Sequence, residues 1–367
     1  MRSLHIDTAQ TWRGGQNQVL LTVNGLKEAG HDALLLAHAQ GELFRRAGNG
    51  AHVHGFSPRS ELDMQAGWQL ARTLSEVTPD VIHAHDPMAV SLVAMALQVS
   101  PSLPRRPLVV ASRRVDFHLK RHAFSRWKYR HVDVFIAASR LIAAILEQDG
   151  ITADRIEVVH DGVNVHAIER SPTVDARGAF WLPHGAPVVG NVAALADHKG
   201  HRHLVAAAAK VVREVPDARF LILGEGELRE ALEHQVSALG LGHHVFLPGF
   251  RKDVIGLMKS FDLFVMSSIT EGLGSAILEA MACRRAVVAT RTGGIPEVVQ
   301  EGQTGRLVPP RDETALAAAI VEMLGDAGTR QAFGDAGHAR VVDEFSVEQL
   351  VAGTVVVYES RLAAVNS

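Results

Sequence analysis

Cysteine is nearly missing from this chain: Cys283 is the single one among 367 residues. One thiol excludes an intramolecular disulfide and any cysteine-rich metal cage, and it suits a reducing compartment. No apolar run approaches the length of a membrane span, and the N-terminal stretch MRSLHIDTAQTWRGG lacks the apolar core of a signal peptide. A cytoplasmic protein is the expectation. Excess positive charge is missing too. The formal net charge is −3, so no global pull toward nucleic acid is expected. There is no short-period repeat, no low-complexity segment and no Asp-x-Asp pair.

What is present is a globular composition, 47% hydrophobic and 21% charged, in a chain too long for one ordinary core. Near the N-terminus SLHIDTA (3–9) reads as a strand, QTWRGG as a loop, 15–29 as a helix ended by Gly30, and HDALLLA as a second strand. Further strands are expected at 79–85, 107–112 and 132–139. The second half alternates helices with apolar strands at 187–195, 218–224, 244–249, 262–268 and 285–290. Continuous apolar strands of this kind belong to parallel sheets covered on both faces. The expected fold class is α/β, with two Rossmann-like doubly wound domains facing a cleft. The expected divisions are 1–168, 169–345 and a C-terminal helix, 346–367, crossing back to the first domain. Pro and Gly cluster in 169–187, where periodicity lapses.

The stretch TEGLGSAILEAMACRRAVVAT (270–290) carries the chemistry. Glu279 sits inside an apolar run with Glu271 eight positions before it, and a carboxylate so placed must protonate or find donors. Glu271 follows a strand at its carboxyl end, where ligands of open α/β sheets bind. Gly272 and Gly274 permit close backbone approach, and the helix starting near Ser275 offers free N–H groups to an anion. Glu279, one turn inside, tilts back toward that N-terminus. The arrangement suits a ligand with sugar hydroxyls and phosphates. Helix N-terminal charge alone would also favour acids here, by tenths of a kcal/mol to ~1 kcal/mol.

At these residues the sequence resembles the group 1 glycosyltransferases, retaining family 4, which have the two-domain GT-B fold. The Glu271-x7-Glu279 spacing, GGIPEVVQEGQTGRLVPPRD (293–312), LADHKG (195–200) and WRGGQNQ (12–18) match the family in order along nearly the whole chain. The resemblance implies sugar transfer from a nucleotide diphosphate donor, UDP- or GDP-linked, with retained anomeric configuration and with no metal and no cofactor. It implies that Lys199 neutralises the leaving diphosphate, that Glu271 binds donor sugar hydroxyls, and that Glu279 grips the ribose. Leu273, Gly274 and Ser275 would offer N–H groups, the main chain at Phe250 and Arg251 would meet the base, and Asn191, Gly14 and Gly15 would complete the donor contacts. The family's usual arginine five residues before the lysine is Ala194 here, and a common glycine after the AMAC segment is Arg284. Its usual N-domain histidine gives way to Arg113-Arg114, with Asp116 and His118 close behind as replacement catalytic or structural groups.

One segment stands apart. Residues 105–131 hold nine Lys or Arg against the single acid Asp116, with Phe117, Phe124, Trp127 and Tyr129 interleaved. Nucleic acid finds no support in the rest of the chemistry. A face on anionic membrane fits a lipid-linked or glycan acceptor, and a plain solvated face fits as well. His83, His85 and Asp86 have metal-like content and read either as ligands or as acceptor contacts at a strand end. The rival functions are a nucleotide-sugar epimerase or phosphorylase on the same fold, or a non-catalytic nucleotide-sugar sensor.

Overall fold

The computed structural model describes residues 1–367 apart from Asn49, Ala51, Ser100, Pro101, Ser102, Pro104, Arg121 and Ser367. The chain forms two compact units, Met1–Gly162 with Val347–Ser367, and Val163–Ser346.

In the first unit the strands are β1 (Arg2–Asp7), β2 (Asp32–Ala37), β3 (Val53–Gly55), β4 (Val81–Ala84), β5 (Leu108–Arg113), β6 (Val134–Ala137) and β7 (Ile156–Val158). They build one parallel sheet in the order β3-β2-β1-β4-β5-β6-β7. Strands β4 and β6 are buried throughout, as a sheet covered on both faces requires. β1 alternates instead. Leu4 and Ile6 join one apolar core, while Ser3, His5 and Asp7 point to the other face and are buried there.

That polar stripe is satisfied from within. Arg114 Nη1 lies 3.2 Å from His85 Nδ1, and a guanidinium only donates, so this ring nitrogen accepts. The Nε2–H of His85 then donates to His5 Nδ1 at 3.0 Å, and His5 Nε2–H to Ser3 Oγ at 3.1 Å. His83, beside His5 in register, pairs with Ser112 Oγ at 2.7 Å and with the hydroxyl of Tyr358 at 2.5 Å. Burial holds His83 and His85 far below the usual histidine range and brings His5 down to about 3.

Tyr358 belongs to the C-terminal helix Val347–Asn366, which packs on the helix Gly14–Glu28. A side chain at Gly25 would lie 2.4 Å from Val351, so glycine there lets the two helices close. Replacing Tyr358 by Phe leaves a buried His83 nitrogen without a partner. Tyr358→Phe should therefore destabilise by about 1–3 kcal/mol, read as a lower urea midpoint at unchanged slope.

In the second unit β8 (Val188–Val192), β9 (Arg219–Leu223), β10 (Val245–Gly249), β11 (Leu263–Met266), β12 (Val287–Thr290) and β13 (Gly305–Val308) form a parallel sheet, ordered β10-β9-β8-β11-β12-β13. Alternate residues feed a core on each face. Phe264 and Met266 enter one, Leu263 and Val265 the other. The short strands β3, β7 and β13 are not anticipated from the sequence pattern.

The stretch 169–187 belongs wholly to this unit. Ala176 is buried in its core, Arg177 pairs with Asp262 at 2.5 Å, and Val174 N donates to Gly256 O at 3.0 Å. Ala176, Leu182 and Ala186 are its buried residues while most of its Pro and Gly are exposed, and the crossing points fall at Gly162/Val163 and Ser346/Val347.

Candidate functional site

In the second unit the carboxyl end of β11 runs through buried Ser267 and Ser268 into a loop and then the helix Ser275–Ala282. Two neighbours pin that loop. From one side, Ile269 N donates to His198 O at 2.7 Å, and Ser267 Oγ to Lys199 O at 3.1 Å. From the other, Thr290 Oγ1 donates to Ser268 O at 2.6 Å and Gly294 N to Glu271 O at 3.1 Å. Close approach needs glycine at both contacts. Gly200 (φ +66°) would carry a Cβ 2.1 Å from Ser267 O, and Gly293 (φ +59°) one 1.7 Å from Glu271 O.

The pinned loop brings Lys199 and Glu271 together, Nζ to Oε2 at 2.6 Å, and Ser268 Oγ donates to the same oxygen at 3.0 Å. Both side chains are mostly buried, 18% and 11% exposed. Among the described residues Oε1 of Glu271 and the remaining Nζ hydrogens meet no protein partner. The N–H groups of Gly272, Leu273, Gly274 and Ser275 likewise find no acceptor among the described residues. A cation, a carboxylate and a cluster of open N–H groups at a helix N-terminus thus stand together. The arrangement can hold a phosphate beside a polyol.

Glu279 lies one turn inside that helix. Burial, with no hydrogen-bond donor reaching it among the described residues, pushes its carboxyl up to about 7. Phe250 follows β10 with its ring 59% exposed, and Arg251 pairs with Asp253 at 2.6 Å and stacks over Phe180. Asn191 departs from expectation as a donor contact. It is buried, donates to Val265 O at 2.8 Å and accepts from His201 Nε2 at 3.1 Å, so its amide positions β8 against β11. Ser268 was not singled out from the sequence; its place at the end of DLFVMSS is the only signal for it.

In the first unit Gly14 and Gly15 open the helix Gly14–Glu28, capped through Gln16 and the Arg13 main chain. A Cβ at Gly15 would meet nothing within 4 Å, leaving the helix N-terminus approachable. Nearby Asp7 is raised to about 6 by burial and by Asp86. Asp86 turns inward to cap the helix Pro87–Val99 through Met88 and Ala89 N–H. The rings of His5, His83 and His85 offer nitrogens within 4.8 Å of one another. Each nitrogen has a hydrogen-bond partner, however, and Arg114 adds positive charge beside them, an environment built for neutral imidazoles rather than a cation.

His118 pairs with Asp149 at 2.9 Å and is exposed, and Asp116 is half-buried nearby in sequence. The basic segment folds differently from a lipid-facing helix. Lys128 is buried, and Trp127 and Tyr129 pack on the core, whereas Lys120, Arg126 and Arg130 are exposed. Arg121 lies outside the described residues. No helix among them is long and apolar enough to cross a membrane.

Two doubly wound units, one bearing a Lys–Glu pair beside a glycine-flanked helix N-terminus, are the architecture of the GT-B class of transferases. The chain belongs to the group 1 glycosyltransferases: the model "Glycosyl transferases group 1" matches residues 176–340 and "Glycosyltransferase Family 4" matches 12–167. It is 30% identical over 284 residues to a 2-deoxystreptamine glucosyltransferase of Streptomyces kanamyceticus, covering 75% of this chain and 73% of that one. It is 33% identical to the lipopolysaccharide core biosynthesis glycosyltransferase LpsE of Rhizobium meliloti, over 47% of this chain and 50% of that one. Anabaena HepE in complex with UDP-glucose has the same fold, with a TM-score of 0.84 at 22% identity over 98% of this chain and all of that one.

Proposed function

We propose that the protein is a retaining glycosyltransferase that moves a sugar from a UDP- or GDP-linked donor to a hydroxyl of a cell-envelope glycan or lipid-linked acceptor. The observation that carries this reading is the Lys199–Glu271 pair beside the open N–H groups of 272–275. In the reaction the bond from the anomeric carbon to the diphosphate breaks, and the acceptor oxygen bonds to that carbon on the same face as its proton passes to the departing diphosphate. Lys199 meets the charge that grows on the departing diphosphate. Glu271 accepts from the donor sugar's hydroxyls through its unengaged oxygen and steadies positive charge near the anomeric carbon. Glu279 accepts from the ribose hydroxyls, and the exposed Phe250 ring offers a surface to the base. The first unit holds the acceptor, with His118 and Asp116 on that side. Any contact with anionic lipid falls to Lys120, Arg126 and Arg130 rather than Lys128.

Calorimetry with UDP and GDP tests the donor site. Removing the ribose acceptor in Glu279→Ala should weaken nucleotide binding by about 1.5–3 kcal/mol. The pH dependence has a definite sign. A carboxyl raised to about 7 accepts through both oxygens, one for each ribose hydroxyl, only after releasing its proton, so affinity should fall below that pH, by no more than about tenfold per unit. The same raised value stabilises the fold below the ordinary carboxylate range and is lost as pH rises through about 7. Glu279→Gln should therefore bind nucleotide worse yet unfold at a higher temperature at pH 8. Unchanged nucleotide affinity in a folded Glu279→Ala would remove Glu279 from the donor site.

A further inference from the structure

At the carboxyl ends of β4 and β5 in the first unit lies a recess of about 510 Å³, a size suited to a small molecule. Its walls come from residues 60–62, from Pro87, from 113 and 117–120, and from the helix Ala123–Arg130. Two of its charges cancel. Buried Lys128 directs Nζ to Glu61 at 2.7 Å, to Pro87 O at 2.9 Å and to Ser91 Oγ at 3.2 Å, which uses all three of its donors.

Arg113 has no such partner. Among the described residues no carboxylate pairs with it; its Nη2 donates to the Phe117 carbonyl, and its Nε is buried with nothing to bond. Its Nη1 meets no protein partner among the described residues, so the outer edge of the guanidinium is open to an anion, while the sealed Nε stays unpaired at a cost. Burial lowers its basicity, in keeping with that cost. Lys120 adds an exposed cation at the same recess. Phe117, 62% exposed, and Tyr129 supply flat apolar surface beside these charges. An occupant must therefore combine an anion with a ring face.

We propose that this recess binds a phosphate-bearing sugar, the anionic part of the glycosyl acceptor, with Arg113 and Lys120 on the phosphate and Phe117 and Tyr129 against the ring. The assignment as acceptor rests on the transferase reading above; the binding itself does not. Arg113 can meet phosphate oxygens with two parallel N–H groups, a geometry lysine cannot reproduce.

The test is calorimetry with glucose 6-phosphate and with glucose, in the absence of nucleotide. Wild type, Arg113→Gln, Lys120→Gln and Lys199→Ala are compared. Glucose 6-phosphate should bind more tightly than glucose. Its affinity should fall at least about tenfold in Arg113→Gln, less in Lys120→Gln, and stay the same in Lys199→Ala. UDP affinity should be unchanged in both recess variants, which separates this proposal from the donor site. A second arm measures co-sedimentation with phosphatidylglycerol or phosphatidylcholine vesicles. Retention by the anionic vesicles alone, lost in both recess variants, identifies a lipid-borne phosphate as the source; soluble binding alone identifies a free sugar phosphate. Because Lys120 is exposed, its variant keeps the test valid if Arg113→Gln fails to fold. If neither ligand form binds, or binding ignores both substitutions, the recess is not a phosphate site.

Discussion

Lys199→Ala should lower turnover by orders of magnitude while leaving nucleotide affinity much less affected. The cation it removes lies 2.6 Å from Glu271 and has no other protein partner among the described residues. Position 194, five residues before the lysine, is alanine, so in the proposed donor site it adds no second cation for the diphosphate. Charge on the leaving group is largest at the transition state, and an interaction that strengthens there acts on kcat more than on KM. A drop of less than about tenfold, on the order of 1.4 kcal/mol, would mean that another cation does this work. Steady-state kinetics with saturating donor reads the difference. The substitution also leaves Glu271 with Ser268 alone, so a thermal melt must accompany the rates.

Gly293→Ala should be the most disruptive small change in the proposed donor site. Its Cβ would lie 1.7 Å from the carbonyl oxygen of Glu271, and the backbone there has φ +59°. Either the loop bearing Glu271 moves, carrying the open N–H groups of 272–275 with it, or the turn at 293 unwinds. A loss of about 2–4 kcal/mol in folding stability is expected, together with weaker nucleotide binding. Gly240→Ala is the control. It has φ +69° but open space around the new methyl group, so only the left-handed strain, about 1 kcal/mol, should register. Equal effects of the two on urea unfolding and UDP calorimetry would show that the loop is not clamped where the structure places it.

The parallel sheets were legible because strands such as LFVM within DLFVMSS and VFIA within VDVFIAAS are apolar along their whole length, which leaves them no exposed face. β3 and β7 escaped because each is only three residues long, too short to carry a period; β13 matches β4 and β6 in length but reads GRLV, whose Gly and Arg break the apolar run that announces those strands. Glu271 and Gly274 were legible from their own loop, where glycines precede a helix start, whereas Lys199, 72 residues away, was read only through the resemblance of LADHKG to the family. Asn191 misled because a polar side chain at a strand end looks the same whether it meets a ligand or a neighbouring strand. The roles of His83 and His85 were left open for a similar reason: their partners Tyr358, Arg114 and His5 lie far away in the chain, and no local pattern announces them. The basic segment looked like one continuous surface until Lys128 proved to be buried against Glu61.

The way Tyr358 is held by His83 bears on how the chain comes off the ribosome. The helix that covers the polar face of the first sheet follows the whole of the second unit in the chain, so it is made after that unit. Residues 163–346 are contiguous, so the second unit can finish folding as soon as it emerges. The first unit begins earlier and ends later: its histidine stripe and the groove at Gly25 stay uncovered while 184 residues of the other unit are synthesised. A nascent chain halted before Val347 would therefore carry one completed domain and one waiting, with the older part the less mature. Shifting the termini, so that the segment 347–366 precedes Met1 through a linker, would reverse that order and let the first unit close before the second exists.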